Sequence, residues 1–168
     1  GSRNMPVTLN WVSSVAIKAV KFDDTTRINY FTSRLYYSHQ LIIGRKFTPG
    51  FSAQLMPTYV HRNLVTYNSE PNDLFALGMA ARLKLTHMLS VTAEYYYQIP
   101  PYKLKNTTNS LAIGFDIETG GHVFQLHVTN SDGMSERTFI TETTGKWLKG
   151  DILFGFNISR LFEVGKKK

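Results

Sequence analysis

The chain has 168 residues, with Lys+Arg 19 against Asp+Glu 12, a net charge of +7 and no cysteine. It reads as one domain over 1–168, long enough to bury a core without staples. The lack of thiols excludes disulfide frameworks, thiolate metal centres and cysteine nucleophiles. Hydrophobic residues at 42% argue against disorder, while charged residues at 18% fall below the roughly 25% usual in soluble domains. No run of about eighteen apolar residues occurs, so no transmembrane helix is expected; a membrane β-barrel, whose strands alternate, stays open. No signal-peptide pattern precedes the first strand, and Gly1-Ser2-Arg3 reads as a cloning scar or the cut end of a longer chain.

Alternation with period two runs through almost the whole sequence. Strands are expected over roughly 5–22, 28–47, 51–65, 74–86, 89–100, 110–119, 122–130 and 151–162. In the fourth, Phe75, Leu77, Met79, Ala81, Leu83 and Leu85 share one face; Leu74, Ala76, Gly78, Ala80, Arg82 and Lys84 share the other. In the last, Phe154, Phe156, Ile158 and Phe162 oppose Gly155, Asn157 and Ser159. Connections alternate in length. Thr48-Pro49-Gly50, the stretch around His87-Met88, and Gly120-Gly121 are tight, whereas 68–73, 101–109 and 131–150 are long and polar. One end of the sheet is therefore trimmed and the other carries loops. A Gly120-Gly121 hairpin sets Thr119 opposite His122 and Asp116 opposite Gln125. A three-residue loop at 48–50 sets Lys46 opposite Ser52 and Gly44 opposite Gln54, and one at 87–89 sets Arg82 opposite Glu94.

Alternation alone does not say which face is inside: a soluble lipocalin-like barrel binding a hydrophobic ligand turns its apolar face inward, a membrane barrel outward. The polar face lacks the many Lys and Glu of a water-facing surface. It mixes small residues with single polar groups, which suits a crowded polar interior. The lumen-facing set expected on this basis is Lys18, Arg34, Lys46, Arg62, Arg82, Lys84, Glu94, Asp116, Glu118, Gln125, His127 and Asn157. With Asp151 added, six cations face four carboxylates, a modest positive excess consistent with an anion-preferring lumen in a wider barrel or with a salt-bridge network between strands. On the apolar face Phe47, Phe51 and Phe162 gather near the trimmed end, and Tyr37, Tyr59, Tyr95 and Tyr97 lie higher, as membrane-interface aromatics would. Arg160 also falls on this face, near its margin, where it can snorkel.

These features give an all-β fold: an antiparallel up-and-down transmembrane β-barrel with about eight strands in this chain. Short turns on the periplasmic side, longer loops outside and a last strand closing on Phe162 are similar to the assembly signal of bacterial outer-membrane proteins. The segments Asn4-Met5-Pro6-Val7-Thr8, Asn29-Tyr30-Phe31-Thr32-Ser33-Arg34-Leu35 and Pro57-Thr58-Tyr59-Val60-His61-Arg62-Asn63-Leu64 carry a closer resemblance, with 114–122 and 155–160. Together they resemble a family of uncharacterised outer-membrane β-barrel proteins of the Bacteroidota. The resemblance covers nearly the whole chain and implies no activity and no catalytic residues. It implies that the chain is the C-terminal portion of a larger barrel.

The expected partners are outer-membrane lipid, the barrel-assembly machinery through the C-terminal strand, and a protein partner or ligand at the loop 131–150, which can also fold back into the barrel. Basic residues are scattered over strands and the 163–168 tail without aromatic interleaving, so nucleic-acid binding is not expected. For an outer-membrane enzyme the candidates are His61, Arg62 and Asn63, or His127 with Ser131, but no nucleophile–base spacing stands out. His39, His87, His122 and His127 form no metal-ligand spacing on one face, so no metal or cofactor is expected. The leading functional expectation is a structural or porin-like barrel of the bacterial outer membrane.

Overall fold

The structure is a computed structural model that describes residues 6–20, 28, 30–65 and 69–160. Eight strands form one antiparallel sheet in sequence order: β1 (Thr8–Ile17), β2 (Leu35–Lys46), β3 (Phe51–Arg62), β4 (Asp73–Lys84), β5 (Leu89–Gln98), β6 (Leu111–Thr119), β7 (His122–Thr129) and β8 (Leu153–Arg160). Lengths of 8 to 12 residues match the 9–11 or so that a tilted strand needs to cross a bilayer. Every neighbour pair is antiparallel, and among the described residues β1 and β8 do not pair with each other. The sheet is a half-barrel with two open edges.

The concave face is the polar one. In the central strands Met56, Val60, Leu74, Ala76 and Tyr96 are buried. Their outward neighbours Leu55, Met79, Leu83 and Phe115 stand 41–47% exposed. Trp11 on β1 and Phe154 on β8 point outward too. Large apolar side chains thus cover the convex face from edge to edge, far beyond the patch a soluble monomer shows water. A soluble lipocalin-like barrel, with its apolar face inward, is the reverse of this arrangement.

Two of the three expected hairpin registers are present: Lys46 faces Ser52 and Gly44 faces Gln54, and Thr119 faces His122 and Asp116 faces Gln125. The third differs. Arg82 lies opposite Thr92, and Glu94 opposite Ala80. The cause is the turn, which occupies Thr86-His87-Met88, one residue earlier than 87–89. The Leu85 N–H donates to the Leu89 carbonyl at 2.8 Å, and Thr86 Oγ1 accepts the N–H groups of Met88 and Leu89 at 3.2 and 3.0 Å. Thr48 does the same for Gly50 and Phe51 at 3.3 and 3.0 Å. A threonine opening the loop fixes both turns by satisfying two backbone donors, and shifting a loop by one residue shifts the register by two.

The expected strand ends run long. Lys18 N–H still donates to the Arg34 carbonyl at 2.9 Å, but Phe31–Arg34 is a 3₁₀ helix, so β2 begins at Leu35 rather than 28. β8 begins at Leu153, because Asp151 is spent on its own turn, accepting the Lys146 N–H at 3.0 Å beside left-handed Gly150 (φ 81°). The ends expected at 5, 22 and 162 lie outside the described residues.

The small residues of the concave face have a steric purpose. A Cβ on Gly78 would sit 2.5 Å from Tyr96 Cε1 and 3.0 Å from Met56 Cβ, and one on Gly155 would overlap the His127 ring. Glycine on one strand therefore seats a large ring from the next. Gly78→Ala is expected to cost about 1–3 kcal/mol, because Tyr96 is held on its other sides and overpacking strains the neighbours. Gly44→Ala, whose Cβ would meet only Gln54 Cβ at 3.9 Å, is expected to change stability by less than about 0.5 kcal/mol. Urea midpoints of the two variants folded in the same detergent check the pair; equal shifts would contradict the steric account.

Candidate functional site: the concave face and its inward loop

The long loop 131–150 turns into the half-barrel. It contains one short helix, α1 (Glu136–Thr141), opened by a reciprocal cap between Ser135 and Thr138. Ile140 is 1% exposed and packs with Met56, Val60, Leu74, Tyr96 and Leu104. The Phe139 ring lies 4.7 Å from Tyr96, and the Arg137 guanidinium sits 4.3 Å over Tyr36 while pairing with Glu142. This apolar cluster is the fold's core, and it lies in the loop-end half of the concavity.

Two side-chain amides tie the loop down. Gln98, 2% exposed, donates from Nε2 to the Ile140 carbonyl at 2.6 Å and accepts the Leu104 N–H at 3.2 Å. Asn130 accepts the Leu111 N–H at 2.8 Å and donates to the carbonyls of Asn109 and Gly145 at 3.0 and 2.9 Å. Loops 101–109 and 131–150 are thereby stitched to each other and to the wall. Each buried amide satisfies backbone groups that a loop would otherwise leave unpaired.

The rest of the concavity is open and polar, with a cavity of about 900 Å³ between α1 and the trimmed end. In its floor Arg82 donates to Asp116 at 3.2 Å and to Glu118 at 2.7 Å, and Gln125 donates to Asp116 at 3.1 Å. Arg82 reaches these carboxylates across β5, where Ser90 and Thr92 are small enough to let it pass. The pairing expected with Glu94 is thus replaced by one with two carboxylates of β6.

The expected inward-facing residues on the strands — Lys46, Arg62, Arg82, Lys84, Glu94, Asp116, Glu118, Gln125, His127 and Asn157 — all fall on the concave side. Lys18 and Arg34 face each other just beyond the ends of β1 and β2. Their charges are unevenly spread. Arg62 pairs with Glu70 at 3.4 Å and Arg82 with two acids, while Lys46 and Lys84 are exposed at the trimmed end. Among the described residues the cationic excess sits at the margins of the concavity and not in its middle.

On the convex side Tyr37, Tyr59, Tyr95 and Tyr97 face outward in the loop-end half, as expected, and Phe47 and Phe51 meet at 5.6 Å at the trimmed end; Phe162 lies outside the described residues. The upper belt is longer than the tyrosines alone. Trp11, His39, Tyr59, Phe75 and Tyr102 follow one another across the sheet with ring centroids 5.2–6.2 Å apart. Its polar tips are satisfied: Tyr59 donates to Asp73 Oδ1 at 2.6 Å, and His61 Nδ1 approaches the same oxygen at 2.7 Å. Aromatic rings at both margins of an apolar band, wet-tipped at the loop end, are what a membrane interface selects. His61 is therefore a belt histidine, Arg62 holds the Pro71 carbonyl at 2.9 Å, and Asn63 donates to the Thr32 carbonyl at 2.9 Å. His127 is on the other face, against Gly155.

α1, Leu104 and the two amide hubs were not readable as a site in the sequence. The available signals were the apolar pair Phe139-Ile140 inside a polar loop and Ser135 three residues before Thr138.

A convex apolar band, aromatic belts and a polar concave face define a membrane-spanning β-barrel wall. The model of the membrane bound beta barrel domain family (DUF5777) matches residues 1–162, and the chain belongs to that family. No curated protein and no solved structure matches the chain.

Proposed function

We propose that this chain is the wall of an outer-membrane barrel with a porin-like interior: a passive, water-filled passage for small polar solutes, narrowed by α1. The observation that carries the reading is the cavity of about 900 Å³ beside the inward loop, since a solid structural barrel fills its interior with side chains. Open sheet edges do not persist in hydrocarbon, where every backbone donor and acceptor must be paired. In the working barrel the edges of β1 and β8 are therefore joined to further strands, which also widens the lumen. The reading uses lipid around the convex band and the assembly machinery at the C-terminal strand as partners, and it assigns no catalytic step.

The test is extraction from membranes in mild detergent, followed by gel mobility with and without boiling and by conductance in planar bilayers. A heat-dependent shift with discrete conductance steps is expected. Full solubility in plain buffer without detergent, or a heat-modifiable protein that never conducts, would overturn the passage.

A further inference from the structure

The net charge of +7 disguises a carboxylate that, among the described residues, has no cation beside it. Glu94 points into the cavity from β5, flanked in its row by Ala80 on β4 and Ala112 on β6, so neither neighbouring strand offers it a partner. Tyr96, two residues along on the same face, accepts from Gln40 Nε2 at 3.0 Å and donates to Met56 Sδ at 3.5 Å, and the charge that acts on Glu94 is itself negative, Glu136 at the start of α1. Across the floor from Glu94 the same row passes Ala112 and Thr129 to Leu153, and the next row toward the loops runs from Tyr96 through Ser110 toward Ser131. Ser131 is 4% exposed, lines the same cavity, and its hydroxyl has no hydrogen-bond partner. A buried hydroxyl without a partner costs free energy, which a bound polar group would recover. Apolar surface is close by, from Phe139 and Met134 of the inward loop.

We propose that Glu94 and Ser131 form a binding site for a small organic ammonium compound, with the ammonium on Glu94, a second polar contact at Ser131, and the aliphatic body against Phe139 and Met134. Two inter-strand spacings, about 10 Å, separate β5 from β7, room for a short amine between the two groups. The half-buried carboxylate gives the site its sign. An ammonium donates a charge-assisted hydrogen bond to it, a neutral isostere donates a weaker one, and a carboxylate is repelled by Glu94 and Glu136 together. The barrel then prefers cations where it is narrowest, although basic residues outnumber acidic ones along the chain. The inference rests on the concave face being the water-filled interior proposed above.

The experiment is calorimetric titration of the detergent-folded full chain with n-butylammonium, n-butanol and butyrate, repeated on Glu94→Gln, Ser131→Ala and Glu118→Gln, with bilayer conductance recorded in parallel. Saturable binding of n-butylammonium alone is expected. Glu94→Gln should weaken it by about tenfold or more and Ser131→Ala by a few-fold, with Glu118→Gln unchanged because that carboxylate already serves Arg82. Butyrate binding as well as n-butylammonium, or an unchanged affinity in a Glu94→Gln protein with wild-type heat-modifiable mobility, would overturn the site. Conductance without amine binding removes the site and leaves the passage standing; amine binding without conductance does the opposite.

Discussion

Arginine at Met79 is expected to destabilise the folded, lipid-inserted protein by about 2–4 kcal/mol, the cost of a cation on the lipid face near the bilayer midplane. Met79 is 41% exposed, lies between Leu55 and Tyr95 on neighbouring strands, and is half-way along β4. In a water-facing position the same change would fall within about 0.5 kcal/mol, since a half-exposed methionine has little to lose there. The size of the effect therefore reports the solvent. Urea unfolding of Met79→Arg from lipid vesicles, alongside Ala80→Arg on the concave side, provides the reading. The outward variant should lose far more than the inward one, and comparable losses would speak against a lipid-facing band.

The second large effect concerns the inward loop. Ile140→Ala removes a side chain that is 1% exposed at the centre of the apolar cluster, and large-to-small changes at such sites cost about 2–5 kcal/mol. The loss should be local in its functional consequence. β2 to β5 keep their ladders, while α1 keeps its hydrogen bond from Gln98 but loses its anchor. Larger single-channel conductance, with heat-modifiable mobility retained, is the expected signature, and Phe139→Ala should act in the same direction through loss of the Tyr96 contact. An unchanged or smaller conductance in a folded variant would mean that α1 does not narrow the passage.

Both predictions depend on a face assignment that was legible in the sequence. Period two places Leu55 and Met79 on one side and Gln54 and Ala80 on the other wherever the strand lies. The scarcity of Lys and Glu on the polar side then indicates which way the sheet curves. The turns at Gly120-Gly121 and Thr48-Pro49-Gly50 were legible from their glycine and proline, although at the second the Thr48 hydroxyl holds the backbone donors. They were less so at 85–89, where the deciding group is the Thr86 hydroxyl. That single-residue slip moved Arg82 from Glu94 to Thr92, and with it the charge map of the lumen. Arg82 meeting Asp116 and Glu118 leaves Glu94 without a cation among the described residues.

The loop chemistry was not legible. α1 spans only six residues, too short for a helical period to emerge. Leu104 and Ile140 reach the core through contacts far apart in sequence, and nothing local separates them from apolar residues of a solvated loop. The open edges of β1 and β8 could not be read from patterning either. Alternation is the same in a closed barrel and in a half-barrel, and only the pairing of the first and last strands distinguishes them.

The central claim, apolar face to lipid and polar face to water, is most directly tested with single cysteines, which this cysteine-free chain accepts without background. Leu77→Cys, Met79→Cys and Ala81→Cys would be compared with Ala80→Cys and Arg82→Cys in membranes exposed to a water-soluble maleimide. Strict alternation is predicted, with Ala80→Cys and Arg82→Cys labelled and the three outward positions protected. Labelling of the outward set with protection of the concave one would contradict it.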